Sequence, residues 1–192
     1  MTISKTEIFN KSLMLFGGPS QTSFIDNAET DNSTQAVWCR IVYVSSMDFC
    51  AIDLQPGIFK EYRALDETSD SPESLDWEYA FDKPSEYIHL VRLTNAEDRT
   101  QEYDFDDIGN YLFCDFEEPI AELIISPEDS DIVKWPPGFA QMVAARIAVQ
   151  IGALWKPKMM PLAIQAYQAA RREAFEALPD HIPKTPVWNE NT

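Results

Sequence analysis

The sequence predicts an α+β fold, mainly α, and three observations carry that prediction. Apolar residues recur at three- and four-residue steps near both ends of the chain, short aromatic-rich runs fill the middle, and the acidic charge is confined to that middle. The expected architecture is a four-helix frame with an inserted small antiparallel β module and an extended C-terminal tail. Residues 1–54 and 135–178 form the frame, 55–134 the module and 179–192 the tail. A length of 192 residues fits one domain, or one domain carrying an insertion.

Ser4 can cap a first helix, and Glu7 three residues on completes a capping-box pattern, with Ile8, Leu13 and Leu15 among the apolar positions. Gly17-Gly18-Pro19 stops it. After the turn residues Asp26 to Thr30, a second helix places Trp38, Ile41, Val42, Ser45, Phe49 and Ile52 on one face, which assigns Trp38 and Ile41 to the frame core. Pro56-Gly57 ends that helix. Strand-like runs follow at 77–81, 87–93, 103–105, 111–116 and 120–125, with 107–110 and 117–119 as connectors and the polar stretch 68–74 as an exposed loop. Pro136-Pro137 then suits a helix entry. Phe139, Met142, Val143, Ile147, Ile151 and Leu154 form one apolar stripe up to Trp155, and alanines on its shoulders let a neighbouring helix approach closely. Pro157 and Pro161 separate this helix from a second, from about Met160 to Leu178. Helices before and after the strands require the two ends of the chain to pack together across the insertion. The last segment, with Pro183, Pro186 and the apolar pair Val187-Trp188, cannot continue the helix. It either folds back on its own chain or docks on a partner.

The net charge of −17 is unevenly placed. Residues 55–134 hold 22 Asp and Glu against 6 Lys and Arg, a balance of −16, and the remainder hold 10 against 9, or −1. Such a module repels nucleic acid at long range, and it lacks the basic stripe with interleaved aromatics that phosphate contact requires. No apolar run approaches a membrane span, and Met1 to Glu7 lacks the layout of a signal peptide, so synthesis in the cytosol is expected. Cys39, Cys50 and Cys114, odd in number and without Cys-x-x-Cys spacing, read as buried thiols in a reducing compartment.

Chemistry is sparse. The six glycines form no phosphate loop, and His89 and His181 give neither a zinc constellation nor a base for a nucleophile. Carboxylate pairs such as Glu78 with Asp82, or Asp104 with Asp106, are available for glycoside hydrolysis, but among so many acids no pair stands out. Asp104, Asp106 and Asp107, and Glu128, Asp129 and Asp131, raise calcium, yet neither cluster matches the twelve-residue loop. No enzyme activity, cofactor or metal is expected.

The order of segments resembles the head-to-tail adaptor proteins of tailed phages, in particular the tail tubular protein A and head-completion group of short-tailed phages. The resemblance rests on Leu13-Met14-Leu15-Phe16-Gly17 closing the first helix and on Ile25 to Glu29 leading into Ala36, Cys39, Tyr43 and Asp48. It continues through the aromatic strand, proline turn and second strand from Trp77 to Leu93, and through Ile124-Ile125 to Gly138-Phe139 with the alanine-rich hairpin beyond. It covers roughly residues 6–178. The resemblance implies a structural virion protein of the phage neck, made in the host cytoplasm. It would form a ring, commonly twelve-fold, that joins the portal protein to the tail nozzle or next tail protein and continues the channel through which genomic DNA passes without sequence-specific binding. On that reading the helical hairpins flank the channel, and the tail at Pro183, Pro186, Val187 and Trp188 inserts into the portal. Two rival readings are a free acidic protein of the DNA-mimic type, occupying the nucleic-acid site of a basic partner, and a cell-wall hydrolase using Glu78 or Glu86.

Overall fold

The computed structural model describes residues 3–16, 24–68, 77–84, 87–95 and 100–178. Four α-helices form one layer: α1 (Lys5–Met14), α2 (Thr34–Leu54), α3 (Phe139–Trp155) and α4 (Met160–Glu176). Seven strands come between the helix pairs: β1 (Lys60–Ala64), β2 (Tyr79–Asp82), β3 (Tyr87–Asn95), β4 (Glu102–Tyr103), β5 (Asp106–Ile108), β6 (Tyr111–Cys114) and β7 (Pro119–Ile125). The fold is α+β and mainly α, as the periodicities predict.

The first helix starts where the capping-box pattern puts it. Ser4 Oγ accepts from the Glu7 amide at 3.2 Å, and the Glu7 carboxylate accepts from the Ser4 amide at 2.8 Å, so two amides that the helix leaves unpaired are satisfied. α3 does not begin on the prolines. It begins after Gly138, whose φ of +81° turns Pro136-Pro137 into the helix axis. A Cβ at Gly138 would lie 2.9 Å from the Cα of Ala174, so this glycine also sets how closely α4 approaches α3.

α3 is the centre of the frame. Phe139, Val143, Ile147 and Ile151 of the predicted stripe are fully buried, and so are Ala144, Ala145 and Ala148 on the shoulders. α1 meets its far end, where Phe16 packs edge-on against Trp155 at 5.5 Å and lies directly over Gly152. The segment beyond α2 meets its near end, where Phe59 tilts against Phe139 at 5.0 Å and Trp135 meets the same ring edge-on at 5.0 Å. The two ends of the chain are thereby joined in one core.

Two residues assigned to that core are not in it. Ile41 is 72% exposed and Leu154 75% exposed. α2 buries instead Ala36, Cys39, Tyr43, Ser46, Met47, Cys50, Ala51 and Leu54. At 3.6 residues per turn Ile41 points about 160° away from Tyr43. Apolar residues run all round α2, and the face of small residues is the one that lets α1 and α3 come close. Trp38 is half-buried at the margin of the core. Leu154 shares the stripe of Ile147 and Ile151, but in the last turn of α3 Phe16 covers the side of Gly152 and Trp155, about 160° and 100° round the helix from Leu154, which stays open to solvent.

The strands form two antiparallel sheets, β1-β7-β3-β4 and β2-β6-β5. β7 has alternating loyalties: Ile124 belongs to the helical core, whereas Leu123 and Ala121 belong to a second core with Leu90, Leu93, Phe81, Leu112 and Cys114. The larger sheet is therefore sandwiched between the helices and the smaller sheet. β1 is not predicted, because Lys60-Glu61-Tyr62-Arg63-Ala64 has no alternating apolar pattern; it forms by pairing with β7 over its whole length. β5 likewise falls in part on the predicted connector at 107–110 and pairs with β6.

On the helix-facing side of β7, beyond the reach of the helices, lies Glu122, only 2% exposed. Its carboxylate accepts from Lys60 Nζ on β1 at 2.7 Å and from Arg92 Nε on β3 at 2.6 Å, and Arg92 also reaches Glu102 on β4 at 3.1 Å. One buried acid thus ties three strands, β1, β7 and β3, and Arg92 carries the link on to β4. Burial pushes its carboxyl up, but the hydrogen bonds from Lys60 and Arg92 outweigh that and hold it below the ordinary glutamate range.

Two outcomes follow. Gly138→Ala is expected to cost about 2 kcal/mol, from strain at positive φ and collision with α4, whereas Gly109→Ala, also left-handed but opening on empty space, is expected to cost about 1 kcal/mol. Denaturant unfolding of the two variants checks the difference. Glu122→Gln is expected to destabilise by about 3 kcal/mol at neutral pH, since two cations lose their shared partner. Because the folded carboxyl is held low, the stabilisation is complete above the ordinary glutamate value and disappears as pH falls through the lower folded value. The gap between wild type and variant in thermal unfolding should therefore close on acidification.

Candidate interaction surfaces

The described residues present three surfaces of distinct character: a helical seam, an outward face of α2, and the rim of the smaller sheet. The seam lies where α2, α3 and α4 meet. Asp53 of α2 accepts from Tyr167 Oη at 2.6 Å and from Arg171 Nε at 2.8 Å, both on α4. Burial and the Asp53 hydrogen bond both raise the Tyr167 phenol above its ordinary value, so it stays a donor. Beside this clasp the Arg146 guanidinium of α3 lies 3.7 Å over the ring of Phe49, which itself tilts against Tyr167 at 6.2 Å. These contacts lock the hairpin onto α2 and are structural in kind.

The outward face of α2 is apolar. Val37, Ile41 and Val44 follow one another at helical spacing, and Val44 is 56% exposed. Of these three, sequence reading assigns only Ile41, and places it inward; Val37 and Val44 enter no predicted face. The signal that could have found this face is the distribution of small residues, Ala36, Cys39, Ser46, Cys50 and Ala51, along the opposite side.

At the rim of the smaller sheet, every residue of the edge strand β5 is exposed. Asp106 accepts from Trp77 Nε1 at 2.7 Å, and Asp107 accepts from Tyr87 and from Lys83. Burial pushes the Asp107 carboxyl up, yet the hydrogen bonds of Lys83 and Tyr87 bring it below the usual aspartate range. These acids brace their own module. Asp104, Asp82 and Glu78 are exposed, and Glu78 and Asp82 stand at opposite ends of β2. His89 is half-buried in β3, and Glu86, His181 and the predicted docking residues Pro183, Pro186, Val187 and Trp188 lie outside the described residues.

Cys39, Cys50 and Cys114 are free, buried thiols, as predicted. Burial raises the Cys39 thiol to about 11, with a small opposing pull from Ser12, so it is protonated at neutral pH. Among the described residues no group of three or more His, Cys, Asp or Glu is arranged to hold a metal ion, and no helix is long and apolar enough to cross a membrane. One groove runs between Ile3 and Lys11 of the α1 segment, the approach to α3 and Glu173 near the end of α4. Lys11 and Glu173 are the charged groups of its described lining, which includes no histidine, cysteine or serine. An apolar notch between Pro56, Ile58, Pro136 and Leu178 marks where the chain passes into residues 179–192. Compared with known proteins, the chain matches no family model and no curated sequence.

Proposed function

We propose that this chain is a structural head-to-tail adaptor of a tailed phage, a ring-forming neck protein that binds the portal on one side and the next tail component on the other. The observation that carries the reading is the chain's layout. Helices from both ends make one near-neutral frame, and the strands between them hang from it as an acidic module tied in through β7. This is the segment order on which the resemblance to the adaptor family rests.

The two parts suit different tasks. A frame of interlocked helices offers flat faces for side-by-side packing with heterologous contacts, in which one face of a copy meets a different face of the next. The acidic module, directed outward or toward the next tail protein, repels passing DNA by the same long-range field that would make a basic surface bind it. The tail at Val187-Trp188 is assigned to the portal. In the acidic module, two carboxylates that the fold holds below their ordinary values, Asp107 and Glu122, are spent on ion pairs that brace its strands, which favours scaffold over catalyst.

Light scattering of the purified protein, alone and mixed with its portal protein, tests the reading. A ring, or a monomer that becomes a stoichiometric portal-bound ring, is the expected result, and deletion of residues 183–192 should then weaken portal binding at least tenfold while leaving the helical signal unchanged. A monomer indifferent to the portal overturns it. Salt-sensitive binding of that monomer to a basic DNA-handling enzyme would point to the DNA-mimic reading instead.

A further inference from the structure

We infer that in the free chain residues 179–192 fold back, so that Val187-Trp188 covers the notch between Pro56, Ile58, Pro137 and Leu178. The inference concerns the chain before it meets a partner and does not rest on the ring reading.

Three segments converge to make the notch. α2 ends on Gln55, whose left-handed φ of 48° turns the chain into Pro56, Gly57 and Ile58; Lys134, Pro136 and Pro137 lead into α3; Leu178 follows the last turn of α4. Ile58 is 49% exposed there, although its neighbour Phe59 is buried. Three prolines fix their own φ, so the walls are set before anything binds. The volume, about 260 Å³, falls below the roughly 300–1,000 Å³ of small-molecule pockets, and Lys134 carries the one polar side chain of the described lining. A small molecule would find little room and too few groups to orient it. One or two apolar side chains suit the space.

The chain itself selects the occupant. Leu178 is part of the notch wall, so whatever follows it starts there. Pro179 cannot continue α4, and the residues beyond carry one aromatic, Trp188, beside Val187. Val187 comes nine positions after Leu178, a reach of up to about 30 Å when extended. The return to the notch needs only part of that reach. A tether this short holds the pair at a concentration on the order of millimolar, so another protein, a second copy included, competes only when it is comparably concentrated or binds far better. Pro183 and Pro186 restrict the tether beforehand, which lowers the entropy lost on ordering it. On the adaptor reading the portal must then draw Trp188 out of the notch, and the docking segment stays covered until it does.

The test follows Trp188 fluorescence in the full chain, in wild type and in Ile58→Asp, with the spectrum of the matching Trp188→Phe chain subtracted from each. With the pair seated about nine-tenths of the time, acrylamide reaches Trp188 in about one molecule in ten, so quenching in wild type should be roughly tenfold weaker than in Ile58→Asp. Helical content should be the same in both, since Ile58 is exposed. Equal quenching overturns the inference, whether Trp188 is open in both chains or protected in both at some other site. Protection that disappears on dilution also overturns it, because the occupant is then the tail of another copy. Gly57→Cys/Asn189→Cys leaves Ile58, Val187 and Trp188 in place and gives an independent check. The native thiols being buried, mild oxidation is expected to close a disulfide within one chain; a bond only between chains, or none, overturns the inference. None of these outcomes depends on portal binding, so the adaptor reading stands or falls separately.

Discussion

The fold depends on α3 having almost no side of its own that water can use. Ten of its seventeen residues are buried, among them four alanines and a glycine, and α1, α2 and α4 close round it. The small residues are what make this possible, because they let neighbouring backbones approach until larger side chains such as Phe16 and Tyr43 interlock. A helix so apolar cannot be stable before the rest of the frame exists, so the chain's two ends must meet for either to be ordered. That requirement frees the segment between them. With the frame closed from both ends, residues 55–134 can carry acids at a density that would destabilise a core-forming segment.

The module in turn is held by one strand with two faces. β7 gives Ile124 to the helices and Leu123 and Ala121 to the smaller sheet, and it gives Glu122 to Lys60 and Arg92. Burying a carboxylate carries a desolvation penalty that a single partner seldom offsets. Here two cations from the two flanking strands share it, which fixes the register of β1 and β3 on β7 in a way that apolar contacts alone would not. A slip of one residue would turn Glu122 toward the second core and take from Lys60 and Arg92 the acid they share.

How far the sequence could be read follows from these same features. The capping box at Ser4 and Glu7 is local chemistry and was legible; so was the α3 stripe, because Phe139, Val143, Ile147 and Ile151 recur at helical spacing and all four are buried. α2 misled for a physical reason. With apolar residues all round it, periodicity supplies a face but not its direction, and the direction is set by which side is small enough to let α1 and α3 in. Ile41 thus looks like core and lies outside. Leu154 fails differently: in the last turn of α3 it is Gly152 and Trp155, on another side of the helix, that Phe16 covers, and periodicity cannot report which side of a helix end is covered. β1 is invisible to pattern since its pairing with β7 is a property of the partner strand. Of the outward residues of α2, only Ile41 had been assigned, to the wrong side of the helix; Val37 and Val44 belonged to no predicted face.

The uneven charge bears on the ring we propose. Neighbouring copies bearing −17 each would repel one another, and screening at physiological salt acts over about 8 Å, so in such a ring the acids would have to lie further apart than that or face different ways. Spreading the acids over the frame would place like charges across every contact between copies. Gathering 22 of them in residues 55–134 leaves the helices near neutral, so that in the proposed ring the frames could meet while repulsion between the modules disfavours any packing in which the modules come together.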